Sequence, residues 1–486
     1  MGKLINKRTD KKVNRITKTR RIELPIIIGA FMLLLCACNN KNSSGVTETS
    51  SIVESTEQES ASKYTKEQEN AWKQQIQSGV ETLTMLSNDI AQLDAFADYL
   101  IESNDIEQLS GLTYDETISS QLHQITGKSL IVLWDEFLGK LKDASTAEGY
   151  GIYVKNQDNL ESNEQATENT NAVLAFAGDL CLTEDGFVID HYDEQGGVLN
   201  SCISQSIIDV TNQADIFMLN HEYPVSNRGT ALEGKYYTFR GAPERDKILQ
   251  ELGTDIVSLA NNHIYDYGAD ALYDTMDTLK SDGIPYVGAG RNIEEAARPV
   301  YYVVNGIKIG FASANRSEKI IYTPEAGVDS PGVVRMYDTT MMNEMIQKAS
   351  KECDYLVAYV HWGTEDSPYY EEYEREIARE FIHSGADAII GGHPHVLQGM
   401  EYLEGKPVVY SLGDFWFNSE TKFTTIVSLN INIDGLQQMK LLPCRQENFE
   451  THDLTNTPDS LDFMEHMRAL SPNVNIDDAG FVNAVN

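Results

Sequence analysis

The chain predicts an α/β fold built on a parallel or mixed sheet, and three observations carry that expectation. Short apolar runs recur from residue 172 onward, at 172–177, 216–219, 256–259, 356–360 and 388–390. Each is followed at once by a polar cluster: Gly178-Asp179, Asn220-His221-Glu222, Asn261-Asn262-His263, His361-Trp362-Gly363-Thr364-Glu365 and Gly391-Gly392-His393-Pro394-His395. Between the runs the apolar period becomes helical, as over 371–384, where Tyr373, Ile377 and Phe381 share a face and Gly385 follows as a stop. Apolar runs bounded by turn residues read as buried strands, and the helical segments as crossovers between them.

In such sheets ligands gather at the carboxyl ends of the strands, where all five clusters fall. The converging set is Asp179, Glu222, Asn262, His263, His361, His393 and His395. Carboxylates, imidazoles and an amide oxygen suit divalent Zn, Mn or Fe, and a carboxylate can bridge two ions. Two ions about 3.5–4 Å apart activate water and stabilise both oxygens of a displacement. Gly391-Gly392 is expected to turn the chain sharply and Pro394 to stiffen the His-Pro-His segment. Strand alternation points His221 away from Glu222, and His383 closes a helix, so neither joins the set. Trp362 and Tyr410 either line the cleft or pack beside it.

These motifs, in this order, resemble the CapA family, poly-γ-glutamate capsule synthesis proteins whose fold is related to calcineurin-like metallophosphoesterases. The resemblance covers about 172–443: Ala-Gly-Asp at 177–179, Asn-His-Glu at 220–222, Tyr-Thr-Phe-Arg-Gly at 237–241 and Ser-Leu-Ala-Asn-Asn-His at 258–263 with Asp266-Tyr267-Gly268. It continues through His-Trp-Gly-Thr-Glu at 361–365, Gly-His-Pro-His at 392–395 and Tyr-Ser-Leu-Gly-Asp-Phe at 410–415. It implies a metallophosphoesterase-like mixed β-sheet sandwich flanked by helices. It also implies metal-ligand positions at Asp179, Glu222, Asn262, His361, His393 and His395, and a leaving-group histidine at His263.

The departures are specific. Asp179-Leu180-Cys181 carries cysteine where metallophosphoesterases have histidine, so Cys181 is either a soft thiolate ligand that favours zinc or an inert thiol. Glu222 is longer than the usual bridging aspartate. Asp414 replaces the family's usual asparagine and reads as a further ligand, a support for a ligating imidazole, or a loop cap; Glu365 is a second candidate support.

The 486 residues carry 38 Lys and Arg against 74 Asp and Glu, a formal charge of −36. Nucleic acid is excluded as a partner, because phosphate binding needs clustered basic residues. A polyanion is also repelled at long range, so metal charge with Arg240 or Arg316 must reverse the sign inside a cleft. Arg240, in Phe-Arg-Gly, is the expected clamp for a carboxylate or phosphate.

The first 21 residues hold nine basic residues, followed by an apolar run at 26–37 and Cys38, a secretory leader too short for a comfortable span. Leu35-Cys36-Ala37-Cys38 resembles a bacterial lipobox, which implies cleavage before Cys38, lipidation of that residue and an extracytoplasmic protein anchored to the cell membrane. The expected organisation is a signal peptide at 1–38, a flexible tether at 39–63, a separate N-terminal helical module at 64–145 and a polar linker at 146–170. The CapA-like domain follows at 171–444, and an acidic, loosely packed tail at 445–486. Four cysteines remain, Cys181, Cys202, Cys353 and Cys444, expected as free and mostly buried thiols.

Two classes of function fit. One is a metal-dependent hydrolase at the cell surface, with Arg240 orienting an anion and His263 protonating the leaving group, acting on a capsule or envelope polymer or on an unrelated phosphoester. The other is a non-catalytic component that binds polymer beside capsule synthesis and export proteins.

Overall fold

The computed structural model describes residues 170–184, 188–317 and 322–485, a strand at 152–155, and three helical positions, Phe96, Leu100 and Leu133. The expected leader, Cys38, the tether and all but those three positions of the helical module lie outside the described residues. Phe96, Leu100 and Leu133 are fully buried in one of the hydrophobic clusters.

Two mixed sheets organise the domain. Numbered along the chain, the first runs in space as β1 (Ile152–Lys155), β7 (Val300–Val304), β8 (Ile307–Asn315), β10 (Tyr355–His361), β11 (Ala388–Gly392), β13 (Lys406–Val409), β12 (Met400–Leu403). The second runs as β18 (Val474–Ile476), β19 (Phe481–Ala484), β16 (Gly435–Glu447), β15 (Lys422–Asn432), β2 (Ala172–Leu180), β3 (Ile216–His221), β4 (Ile256–Ser258), β5 (Tyr286–Val287). Beside it, β14 (Asp414–Trp416) pairs with β2 and β17 (Glu450–Asp453) with β16, while β6 (Ala289–Gly290) and β9 (Gly332–Val333) form a small separate ribbon.

Period-two alternation makes these sheets a sandwich. In β3, Ile216 and Met218 face an inner core while Phe217 and Leu219 face outward; in β10, Val357 and Tyr359 face in while Leu356, Ala358 and Val360 face out. The inner core joins both sheets, and the Tyr359 hydroxyl crosses it to donate to the Ala177 carbonyl at 2.9 Å. Helices α1 (Val188–Glu194), α2 (Gln205–Gln213), α3 (Lys247–Glu251) and α4 (Ala269–Ser281) bury their apolar residues on the outer face of the second sheet. The short α5 (Ile293–Ala296) joins α6 (Thr340–Ala349) and α7 (Glu372–Ser384) in the cluster on the outer face of the first. α7 has the expected stop, with Gly385 left-handed at φ 116, and opens on a reciprocal capping box between Glu371 and Glu374. The result is the mixed α/β sandwich flanked by helices that the sequence predicts.

Two boundaries need correction. The expected polar linker at 146–170 contains β1, which pairs in parallel with β7; four residues of strand were too few to stand out from their polar surroundings. The expected loose tail at 445–486 is instead built into the sandwich. It completes β16, adds β17, β18 and β19, and folds α8 (Asp459–Leu470), whose Phe463, Met464 and Met467 enter the inner core. Its apolar residues are few and separated by acidic ones, so composition hid a pattern that burial makes plain.

Candidate metal centre

The parallel strands of both sheets end at one place. Asp179 lies at the end of β2 opposite Asn220 of β3 and opposite Asp414 of β14, while His361 closes β10 opposite Gly392 of β11. The inner-facing rows carry the chemistry forward: Asn220 and Glu222 continue the row of Ile216 and Met218, and His361 continues that of Val357 and Tyr359. His221 falls on the other row, stacked on Tyr223 at 4.0 Å with Asp246 at 3.4 Å, as alternation predicts.

Six of the expected residues meet there. His361 Nε2 lies 2.7 Å from Asn262 Oδ1 and 3.3 Å from Glu222 Oε1. Ligands about 2.1 Å from one ion stand roughly 3–3.4 Å apart, which the His361–Glu222 spacing matches, while the shorter His361–Asn262 distance is that of a hydrogen bond. Three overlapping sets, Asp179 with Glu222 and His361, Glu222 with His393 and His395, and Asp179 with His395 and Asp414, each bring their ligand atoms within 4.8 Å of one another. Glu222 Oε1 and His393 Nδ1 are buried with no hydrogen-bond partner among the described residues. Such atoms are costly to bury unless something satisfies them, and a cation does. The donor set therefore fits divalent metal, and Asp179, Glu222 and His395 each belong to two of the sets.

The turn that presents the two histidines differs from expectation in its cause. Gly391 and Gly392 stay in the strand, and the turn is made by His393 and His395 themselves, at φ 97 and φ 57. Positive φ is strained for a histidine and is held by surrounding contacts. The glycines serve close approach instead: a Cβ on Gly391 would meet the Tyr410 carbonyl oxygen at 2.0 Å, and one on Gly392 would meet Asp179 Oδ1 at 2.7 Å. The same carboxylate accepts from the His393 backbone N–H at 3.0 Å.

Asp414 is placed to support His395, with Oδ1 2.7 Å from His395 Nδ1, and also shares a ligand set with it. Glu365 is exposed; its charge acts on Glu222 and His361, but it makes no hydrogen bond to the cluster among the described residues. Cys181 is buried and free, its sulfur belongs to none of the ligand sets, and burial first, then the charges of Glu222, Asp266 and Asp414, push its thiol well up. It is the inert thiol of the two readings. Cys202 and Cys444 are also free and buried, and Cys353 is free and half-buried. Trp362 and Tyr410 are packing: both are fully buried, and the indole N–H donates to the Tyr410 carbonyl at 3.0 Å.

His263 stands beside the cluster on its own support. Its Nδ1 lies 2.7 Å from Asp266 Oδ2, and the Phe239 ring packs tilted against it with centroids 4.3 Å apart. Asp266 also accepts from the Phe239 N–H at 2.7 Å and pairs with Lys235 at 2.7 Å. Arg240, next along, lies over the Tyr267 ring at 4.2 Å and donates to the Arg228 carbonyl, contacts that stop short of the cluster.

Sequence reasoning missed three supports. Asn220 donates to Asp179 Oδ1 at 2.8 Å and lies 3.2 Å from His361 Nδ1; its alternation with Glu222 was the signal available. Asn261 donates to Asn220 Oδ1 at 3.0 Å and, through Oδ1, accepts from the backbone N–H groups of His263 and Ile264. Lys235, in Gly-Lys-Tyr-Tyr, gave no signal at all.

Burial sets the protonation of the ion-free centre. It raises Asp179 to about 7, helped by Glu222, and Glu222 to about 8. It lowers His361 to about 3 and His393 well below the usual imidazole range. Burial pulls on His395 too, but Asp414, Glu222 and Asp179 overcome it and raise this imidazole to about 10. Without a cation, Asp179, Glu222 and His395 thus tend to hold protons, while His361 and His393 stay neutral donors.

The family of bacterial capsule synthesis proteins named PGA_cap matches residues 173–419, a span that contains every residue of this centre. The chain belongs to that family. Among curated relatives of this PGA_cap member, the PGA biosynthesis protein CapA of Bacillus subtilis is 28% identical over 312 residues, covering 62% of this chain and 78% of the relative. The capsule biosynthesis protein CapA of Bacillus anthracis is 28% identical over 250 residues, covering 49% of this chain and 60% of the relative. Among solved structures, the NAD nucleotidase of Haemophilus influenzae is similar at 14% identity and a TM-score of 0.34, covering 64% of each chain.

Proposed function

We propose that this PGA_cap member acts on a γ-glutamyl capsule or envelope polymer outside the cytoplasmic membrane, anchored through lipidated Cys38, and that the strand-end cluster is a two-metal hydrolase centre. The observation that carries the reading is the pair of buried atoms left without a hydrogen bond, Glu222 Oε1 and His393 Nδ1, on residues of candidate ligand sets of three donors each. The names of the Bacillus relatives support the polymer.

Asp179, Glu222, Asn262, His361, His393 and His395 would hold the ions, with Asp414 fixing the His395 ring. Divalent ions there supply Lewis-acid polarisation of the scissile bond and a more acidic water. The remaining work belongs to the chain. Burial lowers His263 to about 4, against the pull of Asp266, so near neutral pH its ring is uncharged. With its proton on Nδ1 facing Asp266, Nε2 is left as an acceptor; His263 takes a proton before it returns one to the leaving group. Arg240 orients the anion from the loop beside it.

The test is chain length. Metal-loaded protein incubated with poly-γ-glutamate should shorten it, and His263→Asn should retain metal and lose the shortening. Binding without shortening identifies a polymer-binding component instead, and cleavage of a generic phosphodiester alone identifies an esterase unrelated to capsule.

A further inference from the structure

Among the described residues, Arg316 is an arginine without a carboxylate in a strongly acidic chain. Six described arginines, Arg228, Arg245, Arg291, Arg375, Arg445 and Arg468, hold carboxylates in ion pairs. Arg316 has none within 4.0 Å among the described residues, and its buried Nε has no hydrogen-bond partner. Its guanidinium is held flat by aromatic rings, 3.8 Å from the centre of Tyr373 and 5.0 Å from that of Tyr337. A second guanidinium, Arg335, lies 5.2 Å from Tyr337, its own donors turned to the Thr323 and Ser317 carbonyls. Tyr337 is 45% exposed, so this shoulder is open to solvent.

The placement ties the shoulder to the centre. Arg316 follows Asn315, the register partner of His361, and its backbone N–H donates to the His361 carbonyl at 2.8 Å. Tyr373 accepts from the Gly363 N–H at 3.1 Å, and Gly363 in turn packs on Pro394 between the two ligand histidines. Strand alternation directs Arg316 to the α7 side of the sheet while His361 faces the cluster. The guanidinium therefore stands at the same strand end as the centre but on the other face of the sheet, where it can receive only a flanking group of a chain that passes over that edge, not the reacting group itself. The acid that acts on Arg316 at longer range is Glu374, which spends one oxygen on the capping box at the start of α7.

We propose that Arg316, clamped between Tyr373 and Tyr337, is a subsite for a carboxylate carried by the polymer next to the bond held at the metal centre. A planar guanidinium fixed by ring stacking offers a two-pronged fork at little entropic cost, which suits carboxylate and explains how an acidic protein accepts an anionic chain. This rests on the polymer reading above.

The test compares binding of a γ-glutamyl decamer and of the uncharged γ-glutaminyl decamer to full-length, metal-loaded protein, with metal content and Tm measured on each variant. Wild type should favour the γ-glutamyl decamer. Arg316→Gln should weaken that binding about 10- to 100-fold and leave the amide decamer, metal content and Tm unchanged. Arg316→Lys, which keeps the charge and loses the fork, should fall between. If wild type discriminates and Arg316→Gln binds the γ-glutamyl decamer equally well, the subsite is wrong while the polymer reading stands. Equal losses on both decamers with a lowered Tm make Arg316 a packing residue and also overturn the subsite. Wild type that ignores both decamers overturns the polymer reading together with the subsite built on it.

Discussion

Gly392 and Asp179 meet at the junction of the two sheets so closely that a methyl group on Gly392 would stand 2.7 Å from Asp179 Oδ1. Each comes from a different sheet, so this close approach limits how near the candidate ligands of one sheet stand to those of the other. Gly392→Ala is expected to push the carboxylate away, cost about 1–3 kcal/mol in denaturant unfolding, and lower metal content more than a buried Gly→Ala elsewhere does. Elemental analysis beside a urea titration reads both effects.

Metal uptake should depend on pH. Burial raises Asp179 to about 7 and Glu222 to about 8, so below pH 7 both carboxyls carry protons in the ion-free protein. A cation must displace them, and affinity should rise about tenfold per pH unit for each proton displaced as pH climbs from 6 toward 8. Calorimetry in buffers of different ionisation enthalpy measures the released protons. An affinity flat across that range contradicts the assignment of these two carboxylates as ligands.

Asp266 and His263 should act as one unit. Asp266→Asn keeps the size of the side chain and loses the charge that fixes the imidazole proton on Nδ1, 2.7 Å away. Polymer shortening should fall about 10²- to 10⁴-fold with metal retained, and adding His263→Asn should cost little more. Two independent losses that multiply would separate the residues.

Away from the centre, Glu374 offers a clean stability test. It is fully buried at the start of α7, and burial raises it from 4.5 to about 7. Its folded pKa lies above the unfolded one, so its contribution is fully present below 4.5 and is lost as pH rises through 7. Glu374→Gln still accepts from the Glu371 N–H and carries no charge. The variant should match wild type near pH 4.5 and exceed it at pH 8 by on the order of 2 kcal/mol. Thermal unfolding of both proteins at the two pH values gives the difference.

The legible parts of this chain were those where period and chemistry coincide. β2, β3, β4, β10 and β11 announced themselves as apolar runs ending in ligand-type residues, and the alternation that excluded His221 is the alternation that aims Glu222 and His361 inward. What the sequence concealed was long-range or sparse. Nothing local shows that β14 returns to lie beside β2 and set Asp414 opposite Asp179. Lys235 reaches Asp266 from a loop with no period, and α8 buries Phe463, Met464 and Met467 from a stretch whose acidity reads as a tail. The left-handed backbone of His393 and His395 was hidden behind neighbouring glycines, the residues to which such conformations are normally assigned.

The most direct measurement is metal content of the full-length protein, paired with its action on poly-γ-glutamate. About two equivalents of divalent metal, with content lost in His361→Ala and shortening lost in His263→Asn while metal stays bound, is the predicted result. A protein that takes up no metal at pH 8, and whose polymer shortening is the same in wild type and His361→Ala, contradicts the account.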